Sequence, residues 1–270
     1  MSTLLLIRHG RTTANSSGVL AGRTPGVELD EHGREQAAAL GLRLAEVPLA
    51  AIVTSPLERT RQTAAALLDA RTASQKPAAK SGRARSSAAA KAVPLHVEDR
   101  VSECDYGHWS GRELKVLAKE PLWQTVQAHP SAVTFPGGEA MTQMSARAVQ
   151  AVRDWNEQLG ADSCYALVSH GDIIKAIVAD ALGMHLDMFQ RIQIDPCSVT
   201  VIRYTPLRPF VLRINDTDSA VGTLIPARRT RGRRGGSDAQ LGGGAGPVTT
   251  SGAGPTPDPA PAPVPTHPSK

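Results

Sequence analysis

Two histidines occupy the same local context in this 270-residue chain. His9 and His170 each follow a short apolar run, and each is followed directly by a glycine (Gly10 and Gly171). A neutral imidazole can act as a nucleophile or exchange a proton near neutral pH, and a neighbouring glycine lets a substrate approach the backbone closely. Either histidine alone would also suit a capping or packing role. The repeated context favours one shared catalytic site.

Arginines accompany the histidines. Arg8 and Arg11 flank His9, and Arg59 and Arg61 follow a second apolar run. A guanidinium group stays charged and can donate two parallel hydrogen bonds to a phosphate. Arg59 and Arg61 stand two positions apart on a predicted helix and point to different faces, so that only one of them is expected to face a pocket. Together the imidazoles and guanidinium groups predict a site for phosphate chemistry.

A scaffold has to bring these distant residues together, and the hydrophobic pattern indicates which one. Short apolar runs alternate with segments of helical periodicity. Strands are predicted at residues 3–8, 51–54, 93–97, 164–169, 198–204 and 210–214, and helices after Asp30 and at residues 56–68, 139–159 and 172–182. This alternation is typical of a three-layer α/β/α sandwich with a mostly parallel central sheet. Ligands of such sheets bind beyond the carboxyl ends of the strands, where both histidines would lie.

Two segments lack the bulky apolar residues of a core. Residues 71–93 and 222–270 hold 12 of the 30 basic residues but only 2 of the 25 acidic ones, so the remainder is acidic although the whole chain carries a net charge of +5. We expect one domain over residues 1–221 with a flexible basic insertion at 71–93, followed by a disordered, basic, proline- and glycine-rich tail at 222–270. Nucleic acid is not an expected partner, because the excess positive charge lies outside the predicted core.

Several protein classes are disfavoured by the composition. The apolar run at residues 4–7 is too short for a signal peptide, and no later stretch reaches the ~20 apolar residues that a membrane-spanning helix needs. The three cysteines, Cys104, Cys164 and Cys197, form no CxxC pair, which fits a reducing cytoplasm. No HExxH helix or carboxylate cluster accompanies the histidines, so a metallohydrolase is not expected.

Five segments give the sequence a family resemblance. In chain order they are Arg8-His9-Gly10, Ser55-Pro-Leu-Glu-Arg59-Thr, Glu103-Cys-Asp-Tyr-Gly-His-Trp-Ser-Gly111, Phe135-Pro-Gly-Gly-Glu139 and Ser169-His170-Gly171. With these segments the chain resembles the histidine phosphatase superfamily, whose fold is also called phosphoglycerate mutase-like. The resemblance spans residues 3–215, and it is closer to the compact phosphatases of that family than to its phosphoglycerate mutases.

The resemblance implies a role for each matching residue. His9 would be the nucleophile that becomes phosphohistidine, and Glu103 would be the proton donor. Arg8, Arg59 and His170 would complete the catalytic set. The residues expected to bind the phosphate group of the substrate are Arg8, Gly10, Asn15, Arg59, His170 and Gly171. The implied reaction is the hydrolysis of a small phosphomonoester, a phosphorylated metabolite, without a metal or another cofactor.

Two other functions stay open. A phosphomutase of the phosphoglycerate mutase type would need groups that grip the whole substrate, and mutases of this family carry an Arg-Arg pair after the acidic segment. Between Gly111 and Gly137 this chain has only Arg112, Lys115 and Lys119, which favours a phosphatase. An inactive scaffold with a polyanion-binding tail is the other alternative. The sequence does not distinguish a monomer from a homodimer.

The substrate side of the site is expected between Gly111 and Pro136. His108, Trp109 and Trp123 are candidate contacts, although we expect Trp123 to lie in the buried core. The sequence does not show which of the three face the pocket.

Overall fold

A computed structural model describes residues 1–75 and 92–218 of the chain. Its strands are β1 (Ser2–Arg8), β2 (Ala51–Thr54), β3 (Leu95–Val97), β4 (Cys164–Ser169), β5 (Val199–Tyr204) and β6 (Pro209–Asp216). They form one six-stranded sheet in the order β3-β2-β4-β1-β5-β6. The first four strands in that order run parallel, whereas β5 and β6 are antiparallel to their neighbours at one edge.

The helices of the described residues are α1 (Thr13–Ser16), α2 (Glu31–Leu44), α3 (Glu58–Gln75), α4 (Leu114–Leu117), α5 (Leu122–Ala128), α6 (Met141–Leu159) and α7 (Gly171–Ala181). Short 3-10 helices lie at Asp99–Val101, Gly107–Trp109, Pro130–Ala132 and Leu186–Arg191. Local sequence accounts for their ends. Helix α2 begins after Asp30, whose side chain accepts a hydrogen bond from Gly33 N at 2.7 Å. Helix α6 ends at Gly160, which has a φ of +74°.

The central strands are buried on both faces, because their side chains alternate between two hydrophobic clusters. Leu4 and Leu6 of β1 pack with α6 and α7, whereas Leu5 and Ile7 pack with α2 and α3. All four residues are fully buried. Parallel strands that are covered on both faces are typically continuous apolar runs. The predicted α/β/α sandwich with a mostly parallel sheet is thereby confirmed.

The structure differs from the sequence-based prediction at the insertion. Residues 71–75, which were expected in a flexible loop, continue α3. Arg71 anchors them, because its Nη1 donates hydrogen bonds to the carbonyl oxygens of Leu44 and Val47 at 3.1 and 2.6 Å. Strand β3 begins at Leu95 rather than at residue 93. Residues 76–91 of the predicted insertion and the whole predicted tail (222–270) lie outside the described residues.

The cysteine thiols are buried and unpaired at positions 104, 164 and 197. Within residues 1–75 and 92–218, no helix combines the length and the apolar character needed to cross a membrane. The same ranges contain no group of three or more histidine, cysteine or acidic side chains placed to hold a metal ion.

Candidate active site

The two histidines meet at the carboxyl edge of the sheet. His9 follows β1 and His170 follows β4, and these strands are parallel neighbours. The imidazole rings therefore lie side by side, with their centroids 5.2 Å apart and their planes at 59°. Both side chains are buried, with 3% of His9 and 0% of His170 exposed. Residues from opposite ends of the domain thus share one site, as their repeated context predicted.

His9 is held as a neutral imidazole with one nitrogen available for attack. Its Nδ1 lies 2.7 Å from the carbonyl oxygen of Gly10, which can only accept a hydrogen bond, so that Nδ1 carries the proton. Nε2 then bears the lone pair and accepts a hydrogen bond from Arg59 Nε at 3.3 Å. Burial, followed by the positive charges of Arg59 and Arg8, lowers the pKa of His9 well below its ordinary value. The nucleophilic form is therefore populated at neutral pH.

Three buried nitrogen atoms at the centre of the site have no hydrogen-bond partner within the described residues: Arg8 Nε, Arg59 Nη1 and His170 Nδ1. We call these three side chains the phosphate cluster. Other atoms of the two arginines are fixed, because Arg8 Nη1 donates to the carbonyl oxygen of Ile194 at 2.7 Å and Arg59 Nη2 donates to that of Gly22 at 2.8 Å. A buried donor without an acceptor costs about 1–3 kcal/mol. An oxyanion that accepts these donors would remove the cost, so the cluster suits a phosphate group.

Ser55 determines which nitrogen of His170 carries the proton. Ser55 follows β2, and its Oγ accepts a hydrogen bond from Leu57 N at 3.3 Å. His170 Nε2, 2.8 Å away, is the acceptor within reach of the Ser55 hydroxyl proton among the described residues, and donation to it leaves the imidazole proton on Nδ1. Burial, followed by the charge of Arg59, lowers the pKa of His170 well below its ordinary value. His170 is therefore a neutral donor that points its N–H into the site.

Glu103 lies beside the phosphate cluster. Its Oε2 is 3.9 Å from His170 Nδ1, and 13% of its side chain is exposed. The other carboxyl oxygen accepts a hydrogen bond from Cys104 N at 3.0 Å. Burial, followed by the negative charge of Asp172, raises the pKa of Glu103 to about 7, although Arg59 acts in the opposite direction. A carboxyl group that keeps its proton near neutral pH can act as an acid toward a leaving group.

A carboxylate and two arginines hold the backbone of Glu103. The carbonyl oxygen of Glu103 accepts hydrogen bonds from Arg23 Nε at 2.8 Å and from Arg147 Nη2 at 3.1 Å. Both arginines also donate to Glu139 Oε1, at 3.0 and 2.6 Å. The same oxygen accepts a hydrogen bond from Asp105 N at 2.8 Å. We call Arg23, Glu139 and Arg147 the carbonyl clamp, because they fix the chain at the position of the acid.

Glycines let the two segments around the clamp pack backbone against backbone. A Cβ atom on Gly138 would lie 2.2 Å from the carbonyl oxygen of Asp105. Gly107 has a φ of +52°, and a Cβ atom at this position would lie 2.2 Å from the carbonyl oxygen of Pro136. Any side chain at either position would force the segments apart. The Phe135–Glu139 segment therefore serves to seat the loop that carries Glu103.

The two glycines that follow the histidines have different surroundings. Gly10 N donates to Thr63 Oγ1 at 3.1 Å, so this amide supports the end of β1 rather than offering its proton to a phosphate. The predicted contact of Gly10 with a phosphate group stays a prediction, and the amide would have to leave Thr63 to make that contact. Gly171 opens α7, and a Cβ atom there would lie 3.7 Å from Arg8 Nε, at the border of the phosphate cluster.

The polar residues near His9 divide between the site and the surface. Arg61 is exposed whereas Arg59 is buried with 1% exposure, as the spacing on a helix predicted. A cavity opens beside the two histidines, and Asn15 is one of its lining residues. Asn15 is exposed, and its Oδ1 accepts a hydrogen bond from Thr12 N at 3.1 Å at the start of α1. Arg11 also lines the cavity and pairs with a carboxylate outside it.

Proteins similar to this chain identify its family. The sequence profile of the histidine phosphatase superfamily (branch 1) matches residues 4–81 and 75–217. The chain belongs to this superfamily. Its relatives include phosphoserine phosphatase 1 of Hydrogenobacter thermophilus, with 30% identity over 80% of this chain and 93% of the relative. Another is "Probable phosphoglycerate mutase GpmB" of Erwinia tasmaniensis, with 27% identity over 74% of this chain and 84% of the relative.

A solved structure supports the same assignment. YhfR of Bacillus stearothermophilus superposes on this histidine phosphatase with a TM-score of 0.68 at 26% identity. The match covers 81% of this chain and 98% of that one. The sequence-based predictions of the family, the fold and an enzyme of the phosphatase type are thereby confirmed.

Arg8, His9 and Arg59 of this histidine phosphatase line a cavity of about 780 Å³ and form its floor, where His170 packs against His9. Trp109 and Trp123 line the cavity with nearly parallel rings, whose centroids are 6.1 Å apart and whose planes meet at 25°. Trp123 was expected in the buried core, but it is only half-buried because the short helix α5 holds it at the cavity edge. His108 is exposed and packs near Gly137 instead of lining the cavity.

Sequence reasoning missed Ser55 and the two arginines of the carbonyl clamp. Ser55 had a signal, since it is a hydroxyl side chain directly after a buried strand and lies four residues before Arg59. Arg23 and Arg147 had none, because nothing local relates either residue to Glu103.

Proposed function

We propose that this protein hydrolyses phosphomonoesters of small metabolites through a phosphohistidine on His9, without a metal ion. The observation that carries the proposal is a set of three buried N–H groups without a partner among the described residues, on side chains that include the two neighbours of His9, Arg59 and His170. The donors of Arg8, Arg59 and His170 match the oxygens of a phosphoryl group that is being transferred to that nitrogen.

In the first step, His9 Nε2 attacks the phosphorus atom and the bond between phosphorus and the ester oxygen breaks. Glu103 gives its proton to the leaving alkoxide and becomes a carboxylate. His9 keeps its Nδ1 proton and donates it in a hydrogen bond to the carbonyl oxygen of Gly10, which stabilises the positive charge that develops on the phosphorylated ring. The phosphate cluster neutralises the charge on the three equatorial oxygens.

In the second step, a water molecule attacks the phosphorus atom from the side that the alcohol has left. Glu103 accepts a proton from this water, the bond between phosphorus and Nε2 breaks, and inorganic phosphate is released. His9 returns to its neutral form and Glu103 regains its proton, so that the cycle closes without an external acid or base.

A mutase would have to grip a substrate with two functional ends. The candidate cations between Gly111 and Gly137 are Arg112, Lys115 and Lys119, and none of them lines the cavity. Arg112 donates to Glu120 at 2.6 Å, and Lys115 is an exposed residue that pairs with Glu113 at 2.6 Å. This observation favours transfer of the phosphoryl group to water.

The experiment is a quench of turnover with phosphate-labelled phenyl phosphate. The enzyme is denatured in alkali, where phosphohistidine survives, and the label is mapped by proteolysis. We expect label on His9, none in His9→Ala, and loss of at least ~10³-fold in turnover by that variant. The matched control is His185→Ala, whose side chain is 69% exposed outside the site.

Two further readouts complete the test. Wild-type activity is expected to be unchanged by a chelator, and 3-phosphoglycerate is expected to release phosphate faster than it isomerises. Full turnover by His9→Ala, or label on a different residue, would overturn the proposal. The absence of any turnover by the intact protein would favour the inactive scaffold instead.

A further inference from the structure

The cavity is much larger than a phosphate group. Its volume of about 780 Å³ is in the range of pockets that enclose drug-sized ligands. The phosphate cluster occupies only the buried floor, so most of the volume belongs to the rest of the substrate. The residues of the upper part therefore decide which leaving group fits.

One side of the upper part is apolar. Trp123 and Val126 stand three positions apart on α5 and share a helix face, and Leu20, Trp109 and Leu114 line the cavity beside them. Leu114 keeps 39% of its surface exposed although it is a large apolar residue. We call these five residues the apolar wall. Apolar surface of this kind gains free energy when an apolar ligand removes it from water.

The cations of the upper part are already paired. Arg11 Nε lies 2.8 Å from Asp30 Oδ2. Lys175 Nζ donates to Gln190 Oε1 at 3.1 Å and lies 3.8 Å from Asp172 Oδ1. Among the described lining residues these are the two cations outside the phosphate cluster. Each cation thus already has a carboxylate beside it, which weakens its attraction for a second anionic group.

Carboxylates contribute to the same lining. Asp172 and Asp195 both face the cavity, and Asp172 also accepts a hydrogen bond from Tyr106 Oη at 2.8 Å. A carboxylate on the leaving group, as in phosphoserine or 3-phosphoglycerate, would meet these negative charges in a partly enclosed space. Like charges in such a space repel one another more strongly than they do in water.

We propose that the preferred substrates are phosphomonoesters of uncharged alcohols that lay an apolar face against the apolar wall. This inference rests on the proposed phosphatase function, and it names the class of leaving group for the same site. Size and apolar contact then determine kcat/KM, and a second anionic group lowers it.

The first test is a series of straight-chain alkyl phosphates from ethyl to hexyl. Their leaving alkoxides have similar basicity, so differences in kcat/KM report binding of the chain in the transition state. A fully buried methylene contributes about fourfold, which corresponds to ~0.8 kcal/mol. We expect kcat/KM to rise by about twofold to fourfold per methylene until the chain fills the cavity.

Two variants test whether the apolar wall causes the rise of kcat/KM with each added methylene. Trp123→Ala is expected to lower the gain per methylene to less than half of the wild-type value. Val126→Thr, which is nearly isosteric and keeps the helix face filled, is expected to lower it by a smaller amount. The control is Leu42→Ala on α2, a residue with 69% exposure, and its slope is expected to equal that of the wild type.

The second test measures how a negative charge on the leaving group changes kcat/KM. Pentyl phosphate and the same chain ending in a carboxylate are compared, and the carboxylate is expected to lower kcat/KM by about tenfold or more. A flat chain-length series, or phosphoserine hydrolysed faster than hexyl phosphate, would overturn the inference and leave the phosphatase function intact. If the wild-type enzyme hydrolyses none of these esters, both proposals fail.

Discussion

The floor and the apolar wall of the cavity are built in different ways. Arg8 and His170 stand at the ends of central strands, and their side chains are tied to the carbonyl oxygen of Ile194 and the hydroxyl of Ser55. Trp123 and Leu114 stand on helices of seven and four residues that have no side-chain hydrogen bond at their N-termini. The polar side chains of the floor are therefore fixed by hydrogen bonds from remote parts of the chain, whereas Trp123 and Leu114 of the apolar wall are carried by short helices without such bonds at their starts.

The difference separates chemistry from selectivity. Parallel strands of one sheet place their carboxyl ends at a fixed distance, which suits groups that must meet at one phosphorus atom. Short helices between the strands can change in length and composition without disturbing the sheet. Substitutions in the floor are thus expected to lower kcat/KM by the same factor for all esters. Substitutions in the apolar wall are expected to lower it by different factors for different esters.

The largest effect is expected at Arg59 of the floor. Arg59→Met removes the donor to His9 Nε2 and one partnerless N–H, and we expect a loss of about 10³-fold in kcat/KM. The loss should be the same for ethyl, hexyl and phenyl phosphate. Arg61→Met, two positions later and exposed, is the matched control and is expected to keep wild-type activity. If the loss of kcat/KM differed widely between esters, the assignment of chemistry to the floor and of selectivity to the apolar wall would be contradicted.

Glu103 lies between the two regions, and its role depends on the ester. Glu103→Gln is expected to lower kcat/KM by about 10²-fold or more for alkyl phosphates, because their alkoxides need a proton. The loss for 4-nitrophenyl phosphate should be much smaller, since 4-nitrophenolate leaves as an anion. Equal losses for both esters would show that Glu103 does not act as the acid.

The pH dependence gives an independent measurement of the same group. The pKa of Glu103 is raised to about 7, so its acidic form predominates below that pH and is lost above it. The kcat/KM for ethyl phosphate should consequently fall as the pH rises through about 7, and Glu103→Gln should lack this decline. The neutral form of His9 is retained to well below its ordinary pKa and should not limit activity near pH 7.

A smaller effect is expected at Ser55. Ser55→Ala removes the hydroxyl that donates to His170 Nε2, so the imidazole proton can move away from Nδ1. We expect a loss of about tenfold in kcat/KM, equal for all esters, with folding unchanged by circular dichroism. Ser2→Ala is the control, because Ser2 is also buried and its hydroxyl bonds to Asn156 at the other end of β1. Unequal losses between esters would place Ser55 outside the floor.

The smallest effect is expected in the carbonyl clamp. Arg147→Met should lower kcat/KM for ethyl phosphate by a few-fold and shift the decline near pH 7, because it loosens the backbone of Glu103. Activity on 4-nitrophenyl phosphate should change less. Arg153→Met on the same helix, 61% exposed, is the control. A loss without any shift of the pH profile would assign Arg147 a purely structural role.

Particular residues show how far the sequence could be read. His9, His170 and Arg59 could be predicted because each follows an apolar run that had to become a strand. The start of the insertion could not be predicted, because Arg71 docks on carbonyl oxygens at the end of α2, and no local pattern signals that contact. Trp123 was misplaced because its apolar character fits a core and a cavity wall equally well.

The sequence alone determined the order of the six strands and the four long helices, the strand ends that carry the histidines and the residue types of the site, but not the short helices α1, α4 and α5. These properties depend on hydrophobic period and turn chemistry, which act over a few residues. Only the tertiary structure decided the proton positions on His9 and His170, the raised pKa of Glu103, the carbonyl clamp and the apolar wall. Each of these arises from burial and from charges or donors contributed by remote parts of the chain, and such distances exist only after folding.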